Sequence, residues 1–406
     1  MTIDHNALKS MEEDLDSQTL SRVEQAVEML ARAKNEDKKV VAVLGSGPNI
    51  HEGVTTLMAE LMYRGLIDGV STSSAVIAHE MAGTLEKVKR IDGRAFGFSP
   101  DKLPLDGKME VSLLSPPQFQ KYQQEIVLDA DLYQRMAEAD GNEIMKVAGN
   151  MAYPTGYRTE RLARDVLALA KRYGRPFEEI AGLGADPYTM IGAGARTGIP
   201  VLVTIPQLIG GGEVGLAIGD SLSISGRCER LASLLGSAEV IIESAVALTQ
   251  EIHDGPFERY TGHGIWADWQ GEWTYSLAEK KIIRIDLDPN LDLAWRKERQ
   301  SGDVSSAIDQ GLPKTVSMQT PFRMEMSGFA RIPGSLPIIG DIGQVWPVMI
   351  SKLAKALGIQ LNLMSYKQSL PAGKSFREWI VDNVGPLDRE RMLAKTNIYN
   401  TISCHK

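Results

Sequence analysis

The stretch from Lys39 to Gly83 constrains the fold more than any other part of this 406-residue chain. It opens on an apolar run, Val40-Val41-Ala42-Val43-Leu44, that stops at Gly45-Ser46-Gly47-Pro48. A short, β-branched run ended by glycine reads as a buried parallel strand entering a tight turn. From about Glu52 to Arg64, apolar residues recur at Val54, Leu57, Met58, Leu61 and Met62, a three-and-four spacing that lays one helical face on a sheet, and Gly65 suits the helix end. Ile67 to Thr72 then reads as a second strand. Strand, glycine turn, helix, strand is a βαβ unit, and such a turn presents backbone N–H groups to phosphate.

Strands and helices keep alternating downstream. Helices are expected at 130–148, 157–173 and 224–235, with a small-residue helix before the strand Ile199 to Ile205. Further strands are expected at Val240 to Ser244, Lys281 to Asp286 and Leu336 to Gly340, the last leading into an apolar helix from Val345 to Leu357. The pattern predicts an α/β fold with a doubly wound, mainly parallel sheet. Residues 91–124, rich in Gly, Pro and Lys, read as an excursion from that sheet. Residues 1–36 read as a helical lead-in, with Leu20, Val23, Ala26, Val27, Leu30 and Ala31 on one stripe, 37–360 as the main domain and 361–406 as a C-terminal extension.

Composition narrows the partners. Net charge is −8 and no block of Lys and Arg occurs, which argues against nucleic acid. No apolar segment approaches the roughly 20 residues that span a bilayer, and the polar start does not resemble a signal peptide, so a cytoplasmic protein with no membrane partner is expected. Cys228 and Cys404 form neither a disulfide framework nor a zinc motif, and no metal is expected. The expected assembly is a homo-oligomer, a dimer or a tetramer.

Several stretches resemble the deoxyhypusine-synthase-like NAD-binding fold: VLGSGPNIHEG, then VSTSSAVIAHEMAGTL, GNMAYPTGY at 149–157, TGIPVLVTIP at 197–206 and GGGEVG after it. Deoxyhypusine synthase itself carries an acidic pair after the second strand and an imine-forming lysine, where this chain has Ile77-Ala78-His79-Glu80 and no matching lysine. Other stretches, AVIAHEMAGTL, IIRIDLDPN and IIGDIGQVWPVMISKLAKAL, resemble the archaeal-type ornithine cyclodeaminases, which share that fold. The middle domain of thiamine-diphosphate enzymes shares the fold as well, but the metal motif of those enzymes is missing after Gly340-Asp341-Ile342-Gly343.

The resemblance implies NAD as cofactor and a small, amine-bearing substrate, a basic amino acid or polyamine. The reaction it implies is hydride abstraction to an imine followed by cyclodeaminase-like deamination, with aminobutyl transfer or a non-catalytic nucleotide-binding protein as alternatives. The expected cofactor residues are Gly45, Ser46, Gly47, Pro48 and Asn49, then Ser73 and Ser74, then Asp286, Asp288 and Asp341 at later strand ends. Carboxylates there accept hydrogen bonds from a ribose diol or, equally, cap the following helix. His79 and Glu80 are the expected proton-transfer pair, against the alternative of an ordinary half-buried helix histidine. Glu213 and Asp220, with Glu243 and Glu251, are expected either as counter-charges for a substrate ammonium or as ordinary surface carboxylates. A Trp-rich segment at 260–276 adds an aromatic and acidic wall or a subunit interface.

Overall fold

The computed structural model describes residues 2–45, 47–149, 151–203, 210–244, 277 and 279–403. Among the described residues ten strands run in chain order as β1 Val40–Leu44, β2 Gly69–Thr72, β3 Leu85–Asp92, β4 Lys108–Ser112, β5 Asn142–Val147, β6 Ala152–Tyr153, β7 Val201–Val203, β8 Val240–Ser244, β9 Lys281–Asp286 and β10 Gly334–Ile339. Six of them form one sheet, ordered β7-β2-β1-β8-β9-β10, and every pairing in it is parallel. Numbered by their own succession these strands lie 3-2-1-4-5-6, the doubly wound order whose direction reverses between the first and fourth strands. The fold class is α/β as the alternation predicts.

Burial explains the unbroken apolar runs. All five residues of β1 are buried, and alternate ones feed opposite faces. Val40, Ala42 and Leu44 join the larger core, while Val41 and Val43 join a second core on the other side of the sheet. β8 divides the same way, with Val240 and Ile242 on one face and Ile241 on the other. A strand covered on both faces has no polar side to show, so its sequence does not alternate.

The segment expected as an irregular excursion is more ordered than its composition suggests. β3, β4, β5 and β6 form a second sheet ordered β5-β3-β4-β6, with β3 antiparallel to both β4 and β5. It has a small core of its own around Ile91, Val111, Tyr133 and Met136. The helix expected over 130–148 covers only Ala130–Glu138, and the rest is β5. Only Leu85, Val88 and Ile91 of β3 are buried and no residue of β5 is, so these strands lack the apolar run of β1. The small sheet leans over the carboxyl end of β1, because β5 packs against the helix Gly47–His51.

The N-terminal lead-in is two helices, His5–Glu13 and Ser17–Asn35, the second lying on the helix Ile342–Leu357. Among the described residues no helix is long and apolar enough to cross a membrane.

Candidate functional site

In an open parallel sheet, ligands enter where the strand order reverses, beyond the carboxyl ends of the strands. Here that place lies between β1 and β8. The Gly45 amide donates to the Ser244 carbonyl at 2.7 Å and extends the pairing into the turn. Asn49, wholly buried, then bridges the two strands: its Nδ2 donates to the carbonyls of Gly45 and Ser244, each at 3.2 Å, and its Oδ1 accepts from Ser244 Oγ at 2.7 Å. Trp346 Nε1 donates to the same Ser244 Oγ at 2.9 Å. Asn49 therefore shapes the turn from beneath. Pro48 is exposed and Gly47 half-buried above it. A Cβ built on Gly47 meets nothing within 4 Å, so the fold leaves open space over this glycine. That opening suits a dinucleotide's pyrophosphate, which needs close backbone approach. Ser46 lies outside the described residues.

Beyond β2, Ser73 caps the helix Ser74–Met81, accepting from the Val76 amide at 3.3 Å, and Ser74 Oγ donates to the Gly210 carbonyl. The glycine run comes close to protein backbone at this point. Gly211 has φ +83°, and a Cβ there would sit 3.0 Å from the Ser74 carbonyl oxygen. The later carboxylates have partners of their own. Asp286 is buried and accepts from Arg284 Nη2 at 3.0 Å, Arg323 Nη2 at 3.2 Å and the Asp288 amide at 3.0 Å. Asp288 caps Pro289–Ser301, and Asp341 caps Ile342–Leu357 while pairing with Lys367 at 3.3 Å.

His79 sits in the last turn of the helix after β2, almost fully buried. Its Nδ1 lies 2.8 Å from the Ala148 carbonyl oxygen, which can only accept. The proton is thereby placed on Nδ1, leaving Nε2 as the basic lone pair. Burial holds the imidazole below its ordinary pKa, reinforced by the charges of Lys146 and His51, while the Ala148 carbonyl pulls the other way. Glu80 is engaged elsewhere: its two carboxylate oxygens accept from the Met190 and Ile191 amides at 2.8 and 3.0 Å, capping the helix Met190–Thr197. Burial pushes Glu80 up to about 7 even so.

Around His79 the tertiary structure assembles residues that sequence reasoning did not single out. Glu86 on β3 stands opposite Lys146 on β5, and Lys146 Nζ also binds Glu110 on β4. Burial pushes Glu86 up to about 7, against the Ser112 and Thr155 hydroxyls, the Gly149 amide and the Lys146 charge. Arg377, from the helix Pro371–Asn383, donates to the Met145 carbonyl at 3.1 Å. Together with Lys146 it adds to the effect of burial in holding His51 below its ordinary pKa. The β3–β5 pairing brings Glu86 to Lys146, and the helix Pro371–Asn383 brings Arg377. The one local sequence signal is Gly149, which opens GNMAYPTGY and has φ +74°.

Glu213 pairs with Arg164 at 3.3 Å near the surface, and Asp220 is exposed. The Trp-rich 260–276 segment lies outside the described residues. A groove of about 750 Å³ opens at the opposite, amino-terminal end of the sheet, lined by Lys39, Pro200 and Ser237 among others, so volume alone does not mark the site.

No family model matches the chain, and no curated protein matches it. Among solved structures it is similar to AgrE bound to ornithine and NAD⁺, at 13% identity and a TM-score of 0.41, over 85% of this chain and 34% of that one. It is also similar to ArgZ, an arginine dihydrolase from the ornithine–ammonia cycle in cyanobacteria, at 12% identity and a TM-score of 0.37, over 82% of this chain and 31% of that one. A third is a conserved LOR/SDH protein from Methanococcus maripaludis S2, at 11% identity and a TM-score of 0.34, over 85% and 69% of the two chains. The chain spans about a third of the length of AgrE. Likenesses this distant carry neither a residue nor an activity across, and the fold class rests on strand order.

Proposed function

We propose that this chain is an NAD-dependent enzyme acting on an amine-bearing small molecule, a basic amino acid or polyamine, by ornithine-cyclodeaminase-like deamination. The observation that carries the reading is the open glycine turn at the point where the strand order reverses, one strand away from the helix that bears His79. The sequence resemblance of AVIAHEMAGTL and IIGDIG supports the substrate class.

In this reading Gly45, Ser46 and Gly47 would hold the pyrophosphate, with Ser73 and Ser74 at the neighbouring strand end. The chemistry NAD supplies when bound is reversible hydride acceptance. His79 takes the proton from the substrate ammonium at Nε2, since a neutral imidazole with Nδ1 already protonated is a base at that atom alone. Glu80 anchors the helix that carries His79 and moves no proton. Glu213 and Asp220, one paired and one solvated, take no part.

The test uses dialysed protein. Added NAD should raise its thermal midpoint, and NAD with ornithine should release ammonia. His79→Ala should keep the NAD-induced shift and lose on the order of a hundredfold in turnover. No thermal response to millimolar NAD would sink the cofactor assignment. A response to NAD without ammonia, but with condensation of two amines, would replace deamination by aminoalkyl transfer.

A further inference from the structure

The Ala148–Gly149 peptide lies between two buried titratable side chains. Its carbonyl oxygen is 2.8 Å from His79 Nδ1, and its N–H donates to Glu86 Oε1 at 2.7 Å. We propose that Glu86 is a positioning residue for His79, orienting the imidazole and setting the basicity of Nε2 through this one peptide group. The proposal rests on the reading of His79 as the base.

The peptide is held on every side. Gly149 has φ +74°, and a Cβ there would meet Ala82 Cβ at 2.7 Å, so the position demands glycine on both counts. The Ala148 amide donates to the Thr84 carbonyl at 2.9 Å, and the Thr84 amide donates to the His79 carbonyl at 2.7 Å. The end of the His79 helix, the start of β3 and the end of β5 thus form one rigid frame. Neither His79 nor Glu86 can turn without breaking it.

Coupling through such a unit has a definite sign. An ionised Glu86 polarises the amide it accepts from and places more electron density on the Ala148 oxygen. A stronger acceptor tightens the bond to Nδ1–H and makes Nε2 more basic, as outer hydrogen-bond partners do for metal-bound imidazoles. A protonated Glu86 has the opposite effect. Besides the Gly149 amide, the carboxyl faces the Ser112 and Thr155 hydroxyls and the Lys146 charge, and it has a proton to gain or lose. Burial brings that proton to about 7, within the working range of an imidazole base.

The other charged and titratable groups facing this unit are Lys146 on β5, Glu110 on β4 through Lys146, Tyr122 and Tyr133 from the helices covering the small sheet, and His51 with Arg377 behind it. Lys146 favours ionised Glu86 and disfavours protonated His79, so it acts on both ends of the unit with the same sign.

Nitrogen NMR of histidine-labelled protein, with His79 assigned against His79→Asn, tests the coupling without any turnover. The wild type should show Nδ1 protonated and its shift stepping near pH 7 while the ring stays neutral. Glu86→Gln should abolish the step, and Lys146→Met should move it to higher pH. His51→Gln should leave it in place. A wild type without the step, its persistence in Glu86→Gln, or its loss in His51→Gln would each overturn the proposal. Full turnover by His79→Ala would instead remove the base assignment and leave the coupling intact, so the two failures are separable.

Discussion

A glycine with open space at its Cβ and no left-handed φ is not required by the fold, and Gly47 is such a residue. Gly47→Ala should leave the unfolding free energy of the free protein within about 0.5 kcal/mol of wild type. It should weaken NAD by roughly tenfold or more, because the methyl occupies the space the pyrophosphate backbone contact needs. Calorimetric titration beside a melting curve separates the two effects, and unchanged affinity would move the cofactor away from this turn. Glu80 shows the reverse, a residue the fold holds for its own reasons. Its unfolded carboxyl loses its proton near 4.5, whereas the buried one keeps it up to about 7. The folded state therefore binds the extra proton between those values, and this contribution to stability is present below the window and lost as pH rises through it. The displacement corresponds to about 3 kcal/mol as an order of magnitude. Urea unfolding at about pH 5 and about pH 7.5 should show the wild type more stable at the lower value on this account. Glu80→Gln should flatten the dependence and cost about 1–3 kcal/mol at the lower pH, since one amide oxygen cannot serve two backbone N–H groups.

At the scale of elements, β7 is the edge of the large sheet among the described residues, and a buried ion pair binds its last residue. Glu178 accepts from the Val203 amide at 2.8 Å, Arg227 donates to the Val203 carbonyl at 3.4 Å, and the two side chains meet at 2.5 Å with almost no exposure. Arg227 also donates to the Ile218 carbonyl at 3.0 Å, so the pair joins four elements: β7 and the helices Phe177–Gly184, Glu213–Ser221 and Ile224–Gly236. Arg227→Met should cost about 3–5 kcal/mol in chemical denaturation, because the Glu178 charge stays buried without its counter-ion. Adding Glu178→Leu should recover part of that loss, and an equal or larger deficit in the double variant would contradict the pair's role. No sequence pattern marks this arrangement, since Glu178 and Arg227 are far apart in the chain and each reads as a surface helix residue. Elements buried on both faces were another matter: β8 and β9 fall at Val240–Ser244 and Lys281–Asp286, where their apolar runs predict them. The small sheet was illegible because β3 buries only every third residue and β5 none, so neither carries a strand's apolar signal, and 130–148 reads as one amphipathic helix. The site shared both conditions. The turn at Gly45–Asn49 follows from local pattern, and His79 was singled out by residue type and resemblance, whereas Glu86, Lys146 and Arg377 enter only through pairing across β3 and β5 and through a helix more than 200 residues downstream.

For the whole molecule, the question is whether residues 361–406 are an appendage or part of the structure that makes the site. Leu361, Leu363, Met364, Tyr366, Phe376, Ile380, Val384, Leu387, Met392 and Tyr399 all belong to the main core. Each large side chain buried there contributes about 1.5–3 kcal/mol against a net domain stability of roughly 5–15 kcal/mol, so the loss of several at once is a large fraction of it. Backbone bonds add to this: the Leu387 amide donates to the Met81 carbonyl at 2.8 Å, at the end of the His79 helix, and the Asp388 amide to the Gly184 carbonyl at 2.9 Å, at the end of the helix Phe177–Gly184. A chain ending at residue 360 should therefore show no cooperative unfolding transition and no stabilisation by NAD. Removal of residues 2–15 should behave differently, because the helix His5–Glu13 buries only Leu8 and Met11. That deletion should leave a cooperative protein destabilised by about 3–5 kcal/mol. Circular dichroism melts of the two truncations decide the matter. A cooperative melt from the chain ending at 360 would mean that the sheet and its helices close a core without the tail, and that Arg377 and its helix are an addition to the site rather than part of its foundation.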